Sequence, residues 1–140
     1  MGRRNNEKFL NTYIELEKLC CEKFGVSAGG VTEYINRLNN ARFAPGRDEV
    51  LPKLVRYRNI RNRFAHEPQA IRSTDEIDKN DIKWVAHFKH ETTRKKDPIS
   101  KYLRKARRFA RRKRIMRFVV TFCAIATVVA VAILLLLLLK

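Results

Sequence analysis

The sequence predicts an all-α protein: a small bundle of four to five helices, followed by a basic helix and a single carboxyl-terminal transmembrane helix. Apolar residues recur every three or four positions in residues 1–93, and no convincing alternating strand pattern occurs there. Between Arg94 and Arg117 there are 13 Lys or Arg and one acid, a net charge of +12. The following 22 residues, Phe118 to Leu139, contain no charge, Pro or Gly, and as a helix they would span about 33 Å.

The first two helices are predicted from apolar stripes and from the glycines that follow or separate them. The first helix runs from about Asn5 to Phe24, and Gly25 ends it. Its stripe consists of Phe9, Tyr13, Leu16, Cys20 and Phe24. A short second helix is expected around Val31 to Leu38, with an apolar face of Val31, Tyr34, Ile35 and Leu38.

The later helices are located by their start and stop signals. The third begins between Asp48 and Pro52 and ends by Glu67, because Pro68 disfavours helical geometry in the residue before it. The last helix of the bundle starts between Ser73 and Asp81, and its apolar residues are Ile82, Trp84, Val85 and Phe88. Asp97 and Pro98 have the pattern of an N-cap and first helical residue, which opens the basic helix.

We therefore expect three parts: a helical domain (1–93), a basic juxtamembrane helix (94–117) and a transmembrane helix (118–139). Because basic flanks stay in the cytosol, the chain is expected to be a single-pass, tail-anchored membrane protein with a cytosolic amino-terminal domain. The basic side chains would then meet anionic lipid headgroups. The same charges would also guide RNA, and the sequence does not separate the two roles. The residues in question include Arg104, Arg107, Arg108, Arg111, Arg112 and Arg114.

The cysteines exclude a secreted disulfide scaffold. Cys20 and Cys21 are adjacent and Cys123 lies in the apolar run, so free thiols in a reducing compartment are expected. The amino terminus lacks the apolar core of a signal peptide.

Arg61 is the unusual residue of the third helix. At 100° per residue it falls in the middle of a broad apolar face formed by Val50, Leu54, Tyr57, Ile60, Phe64 and Ala65. An unpaired buried charge costs several kcal/mol, so this guanidinium needs an anion, a carboxylate or an interface cavity. One reading is a structural ion pair with Glu15 or Glu17 of the first helix.

His66 and Asn62 supply the other reading. His66 lies about 140° from Arg61 on an ideal helix, but it falls in the last turn, where the chain can direct its imidazole towards the Arg61 side. Asn62 directly follows the arginine and is placed to orient either group or a phosphate. The resulting spacing is Arg-Asn-x-x-x-His.

With this motif the sequence resembles the HEPN superfamily, whose small helical bundles carry an Arg-x4-6-His motif with a polar residue, often Asn, after the arginine. The resemblance covers residues 5–93 and rests on RNRFAH, where Arg61, Asn62 and His66 fill those positions. Two departures are visible. The domain is short for the family, and neither a partner domain nor a second catalytic motif is recognisable.

The resemblance implies a metal-independent endoribonuclease that acts as a homodimer on RNA, with the two motifs facing each other. His66 would be the acid or base, Arg61 the electrophilic clamp and Asn62 the orienting group. Such proteins are found among toxins and phage-defence effectors, which implies an antitoxin partner. The alternative is a non-catalytic dimeric helical module that tethers a protein or RNA partner to the membrane.

No cofactor and no metal site are expected. His87 and His90 lie three residues apart, but no Cys, Asp or Glu stands at a supporting spacing, so we interpret them as solvated histidines. No glycine-rich phosphate loop or serine-hydrolase motif occurs.

Overall fold

The computed structural model describes residues 2–67, 69–73 and 76–139, and within these ranges the side chains at positions 72, 73, 130, 132, 134 and 136 are left out of the description. The described residues form helices and loops, without a strand. The helices are α1 (Gly2–Phe24), α2 (Gly30–Asn40), α3 (Arg47–His66), α4 (Ala70–Ser73), α5 (Lys79–Thr93) and α6 (Pro98–Leu138). The predicted all-helical class is confirmed.

The chain divides into two compact units, Met1–Tyr102 and Leu103–Lys140. The first unit holds α1 to α5 and the first residues of α6, and it contains the hydrophobic core. The second unit is the remainder of α6.

Helix α1 packs against α2, α4 and α5. Four residues of its predicted stripe are buried, namely Phe9, Tyr13, Leu16 and Cys20, and Phe24 is partly buried beside them. The Phe9 ring lies 5.6 Å from the ring of Tyr57 on α3. The predicted stripe of the first helix therefore forms one wall of the core.

Helix α2 begins at Gly30, directly after Gly29, which adopts a left-handed conformation with φ 72°. A carboxylate of α1 caps the new helix, since Glu17 Oε2 accepts a hydrogen bond from Val31 N at 3.1 Å. The predicted apolar face is confirmed: Val31, Tyr34, Ile35 and Leu38 are all buried. α2 in turn packs against α3.

Helix α3 begins at Arg47, one residue before the predicted range, because Gly46 takes the N-cap position with φ 77°. Pro52 lies inside the helix and is exposed. The chain leaves helical geometry at Glu67, which has φ −125° and ψ 78°. Pro68, the predicted stop signal, lies outside the described residues.

The one-turn helix α4 was not predicted, because four residues are too few to show a period of 3.6. Helix α5 starts within the predicted range and has a reciprocal cap. Asp78 accepts a hydrogen bond from Asp81 N at 2.7 Å, and Asp81 accepts one from Asp78 N at 3.1 Å. This capping box fixes the start of α5 at Lys79.

The predicted transmembrane helix requires a correction. Among the described residues, no helix combines the length and the apolar character that crossing a bilayer demands. The prediction of a carboxyl-terminal transmembrane helix is therefore wrong on this finding. The predicted single-pass membrane localisation is wrong for the same reason.

Candidate functional site

Helix α3 carries all three residues of the predicted motif in its last two turns. Arg61 is half-buried, whereas Asn62 and His66 are exposed. Ala65 is also exposed and falls between them on the helix surface. The three positions therefore span about 140° around the axis of α3, with the small Ala65 between Arg61 and Asn62.

The position of Arg61 differs from the sequence expectation. Leu54, Tyr57, Ile60 and Phe64 are buried as predicted, but Arg61 is not enclosed by them. Leu54 and Phe64 are ten residues apart and so differ by about 80° around the helix. The buried stripe thus drifts around α3 as the helix crosses its neighbours, and Arg61 lies at its edge instead of its centre.

Arg61 has a neutral partner. Its Nη1 donates to Asn62 Oδ1 at 3.3 Å. The two acids considered as ion-pair partners are engaged elsewhere, since Glu15 accepts from Lys89 and Glu17 accepts from Val31 N. Across the part of the chain that the structure describes, no ion pair joins Arg61 to a carboxylate. Its guanidinium therefore keeps donors for an external anion.

A groove of about 480 Å³ lies beside Arg61, between α1 and the loop that leads into α2. Its α1 wall includes Tyr13, the exposed Ile14, Lys18 and two acids, Glu17 and Glu22, and its loop wall is formed by residues 27–29. Burial raises the pKa of Tyr13 well above its ordinary value, although Arg61 acts in the opposite direction. The positive charge of Arg61 thus lines a groove that is open to solvent.

His66 is the last residue of α3 and is exposed. Within the described residues, no hydrogen bond joins its imidazole to Arg61 or Asn62. Because α3 stays helical through His66, the positions of Arg61 and His66 differ by about 140° around the helix axis. A single copy of the chain therefore presents the arginine and the histidine separately.

The remaining charged candidates lie elsewhere. The six arginines of the basic stretch, Arg104, Arg107, Arg108, Arg111, Arg112 and Arg114, are all exposed in the second unit. His87 and His90 are exposed on α5. Among the residues that were described, no group of three or more His, Cys, Asp or Glu is arranged to hold a metal ion.

Two features escaped the sequence analysis. The first is a buried polar cluster in which Asp97 accepts hydrogen bonds from Lys23 and Tyr34. Its only sequence signal was the N-cap pattern at Asp97. The second is Phe43, which is 88% exposed in the turn between α2 and α3. A single aromatic in a loop carries no periodic signal, so only its exposure distinguishes it.

Comparison with known proteins identifies a family without assigning an activity. The pattern of a family of unknown function, DUF6548, matches residues 7–117, and the chain belongs to this family. The matched region includes α3 with its motif and the whole basic stretch up to Arg117. No curated protein and no solved structure matches the chain.

Proposed function

We propose that this member of the DUF6548 family is a metal-independent endoribonuclease of HEPN type that cleaves RNA as a homodimer. The observation that carries the proposal is the state of Arg61, whose guanidinium is half-exposed, bonded to the neutral Asn62 and unpaired with any acid among the described residues. Such a group is available to bind a phosphate and to stabilise the negative charge that develops on it.

The reaction needs few protein groups, because RNA supplies its own nucleophile. The 2′-oxygen attacks the adjacent phosphorus and its proton passes to a histidine, while the bond from phosphorus to the 5′-oxygen breaks. A second histidine protonates the departing 5′-oxygen. The products are a 2′,3′-cyclic phosphate and a 5′-hydroxyl. Arg61 clamps the phosphate, and Asn62 orients the guanidinium through its hydrogen bond.

A dimer accounts for the separation of His66 from Arg61 within one chain. Two copies of α3 that pack through the exposed Ala65 would bring Arg61 of one copy close to His66 of the other. A small residue at that position permits close approach of the two helices. The dimer would also provide the two histidines that removal and donation of a proton require.

The exposed arginines of α6 would bind the RNA backbone. Contacts between arginine and phosphate give affinity that does not depend on sequence and that falls as salt rises. The family match covers both α3 and this basic segment.

A second candidate is a non-catalytic helical module that binds RNA. Among the described residues, no hydrogen bond joins His66 to Arg61. This favours the binding module, because RNA binding needs no proton transfer. RNA cleavage that depends on His66 distinguishes the two candidates, whereas affinity for RNA does not.

The test is cleavage of end-labelled RNA by the purified full-length protein in EDTA. His66→Ala should abolish cleavage, whereas the matched control His87→Ala, an equally exposed histidine of α5, should cleave like the wild type. Detection of a 2′,3′-cyclic phosphate end would identify the reaction. Binding without cleavage by the wild type would reject the nuclease in favour of the binding module.

A further inference from the structure

The turn between α2 and α3 presents an aromatic ring to solvent from a backbone that is closed by hydrogen bonds. Phe43 is 88% exposed, while Ala41 and Ala44 on either side of the Arg42–Phe43 pair are buried. Ala44 N donates to Ala41 O at 2.9 Å, and Arg47 N donates to Ala44 O at 3.2 Å. The buried alanines and these hydrogen bonds hold the turn, so the exposure of Phe43 results from the fold.

A second anchor comes from the start of α3. Arg47 Nε donates to Leu38 O at 3.2 Å, which ties α3 to the end of α2 beneath the turn. Arg42 N also donates to Asn40 O at 3.1 Å. Arg42 and Phe43 are therefore both exposed on a loop whose backbone is held by hydrogen bonds. Because the backbone of the turn is already held, only the side chain of Phe43 becomes ordered when it stacks on a ligand.

We propose that Phe43 is a stacking platform for an unpaired RNA base and that Arg42 binds the neighbouring phosphate. This inference rests on the proposed action on RNA and adds a binding site to it. A bare apolar docking site would not require a cation next to the ring. The exposed Arg42 matches the charge of a nucleic acid backbone.

The platform lies at the opposite end of α3 from His66. The 20 residues of α3 separate the two by about 30 Å along the helix axis. The base at Phe43 is therefore not the one next to the scissile bond. This site binds the RNA strand far from the scissile bond. Loss of the Phe43 ring therefore weakens RNA binding without abolishing cleavage.

The test measures binding of the full-length His66→Ala protein, which keeps the RNA intact, to an oligouridylate of about 20 nucleotides. Adding Phe43→Ala should weaken binding about tenfold, whereas Phe43→Trp should preserve it. Phe43→Leu should bind like Phe43→Ala, because leucine is apolar but does not stack. The matched control is Phe122→Ala, which removes a ring that is also well exposed but has no charge within the neighbouring turn.

Two further measurements separate the ring from the charge. Inorganic polyphosphate has charge but no bases, so Phe43→Ala should not change its affinity. Arg42→Ala should reduce the slope of log affinity against log salt by about one, and Phe43→Ala should leave that slope unchanged.

The outcomes are distinct. Equal RNA binding by Phe43→Ala and by the parent protein would overturn the stacking site and leave the proposed nuclease standing. Full binding by Phe43→Leu would indicate an apolar surface for a protein partner and would also overturn it. Failure of the parent protein to bind RNA at all would reject the proposed function together with this inference.

Discussion

The ammonium group of Lys23, at the end of α1, donates a 2.7 Å hydrogen bond to the carboxylate of Asp97, which is fully buried and lies 74 residues later in the chain. Tyr34 of α2 donates to the other carboxylate oxygen, also at 2.7 Å, and Ser100 N donates to the same atom at 3.2 Å. The cost of burying the carboxylate is offset by these donors. Asp97 thereby fixes the beginning of α6 to α1 and α2 inside the first unit.

The first prediction concerns the pH dependence of stability. Burial by itself would raise the pKa of Asp97, but hydrogen bonds from Lys23, Ser100 and Tyr34 outweigh it and hold the pKa below the ordinary value of 3.8. A carboxyl group with a lower pKa in the folded state stabilises the fold above the unfolded pKa, and this stabilisation is lost as pH falls through the folded pKa. The free energy of unfolding should therefore decrease below about pH 4.

Urea denaturation followed by circular dichroism at a series of pH values measures this effect. Asp97→Asn should lower the free energy of unfolding at neutral pH by about 3 kcal/mol and should flatten its decrease in acid. Asp48→Asn removes a carboxylate that is 96% exposed and should behave like the wild type. An Asp97→Asn protein with the acid sensitivity of the wild type would show that Asp97 does not carry the effect.

The second prediction concerns Gly30, where α2 crosses α1 at very short range. A Cβ atom at Gly30 would lie 2.8 Å or less from three backbone atoms of α1, which belong to Glu17, Cys20 and Cys21. Backbone atoms cannot rotate away as a side chain does, so Gly30→Ala should cost about 3 kcal/mol. In Gly25→Ala the Cβ meets open space, and the strain of φ 69° alone should cost about 1 kcal/mol. Thermal denaturation of the two variants should rank them in this order, and equal losses would contradict the close approach.

The third prediction tests the catalytic roles. Arg61→Ala and His66→Ala should each reduce RNA cleavage by about 100- to 10,000-fold and should remove any growth toxicity. Because both side chains lie outside the buried core, neither change should alter the free energy of unfolding by more than about 0.5 kcal/mol. Activity should survive chelators. Cleavage that EDTA abolishes would reject the proposed mechanism even if both variants were inactive.

The fourth prediction tests whether the site is completed by a second copy. The proposed reaction needs one histidine to remove a proton and a second to donate one, and each copy supplies one of them, so a mixed dimer of wild-type and His66→Ala chains should be inactive. When the wild type is mixed with an equal amount of His66→Ala under conditions that exchange subunits, about a quarter of the dimers keep both histidines. The rate should therefore fall to about half that of the same amount of wild type alone. Light scattering should find a dimer at the same concentration. A mixture that keeps the full wild-type rate although the subunits exchange would show that the His66 of one chain is sufficient for each site.

Local patterns in the sequence were sufficient for α1, α2, α3 and α5 of the first unit. The stripe of α1, the face of α2 and the cap at Asp97 follow from spacing and from residue type. The helix α4 was missed because it has only four residues. The predicted transmembrane helix was wrong on the finding for the described residues.

For the candidate site, the sequence by itself determined which residues share α3: Arg61, Asn62 and His66 at a fixed spacing. Only the tertiary structure decided what surrounds them, because the path of the buried stripe depends on how α3 crosses its neighbours. That crossing places Arg61 at the edge of the core beside Asn62 and leaves His66 in solvent. Likewise, the contact of Lys23 with Asp97 and the exposure of Phe43 depend on long-range packing, which no local pattern encodes.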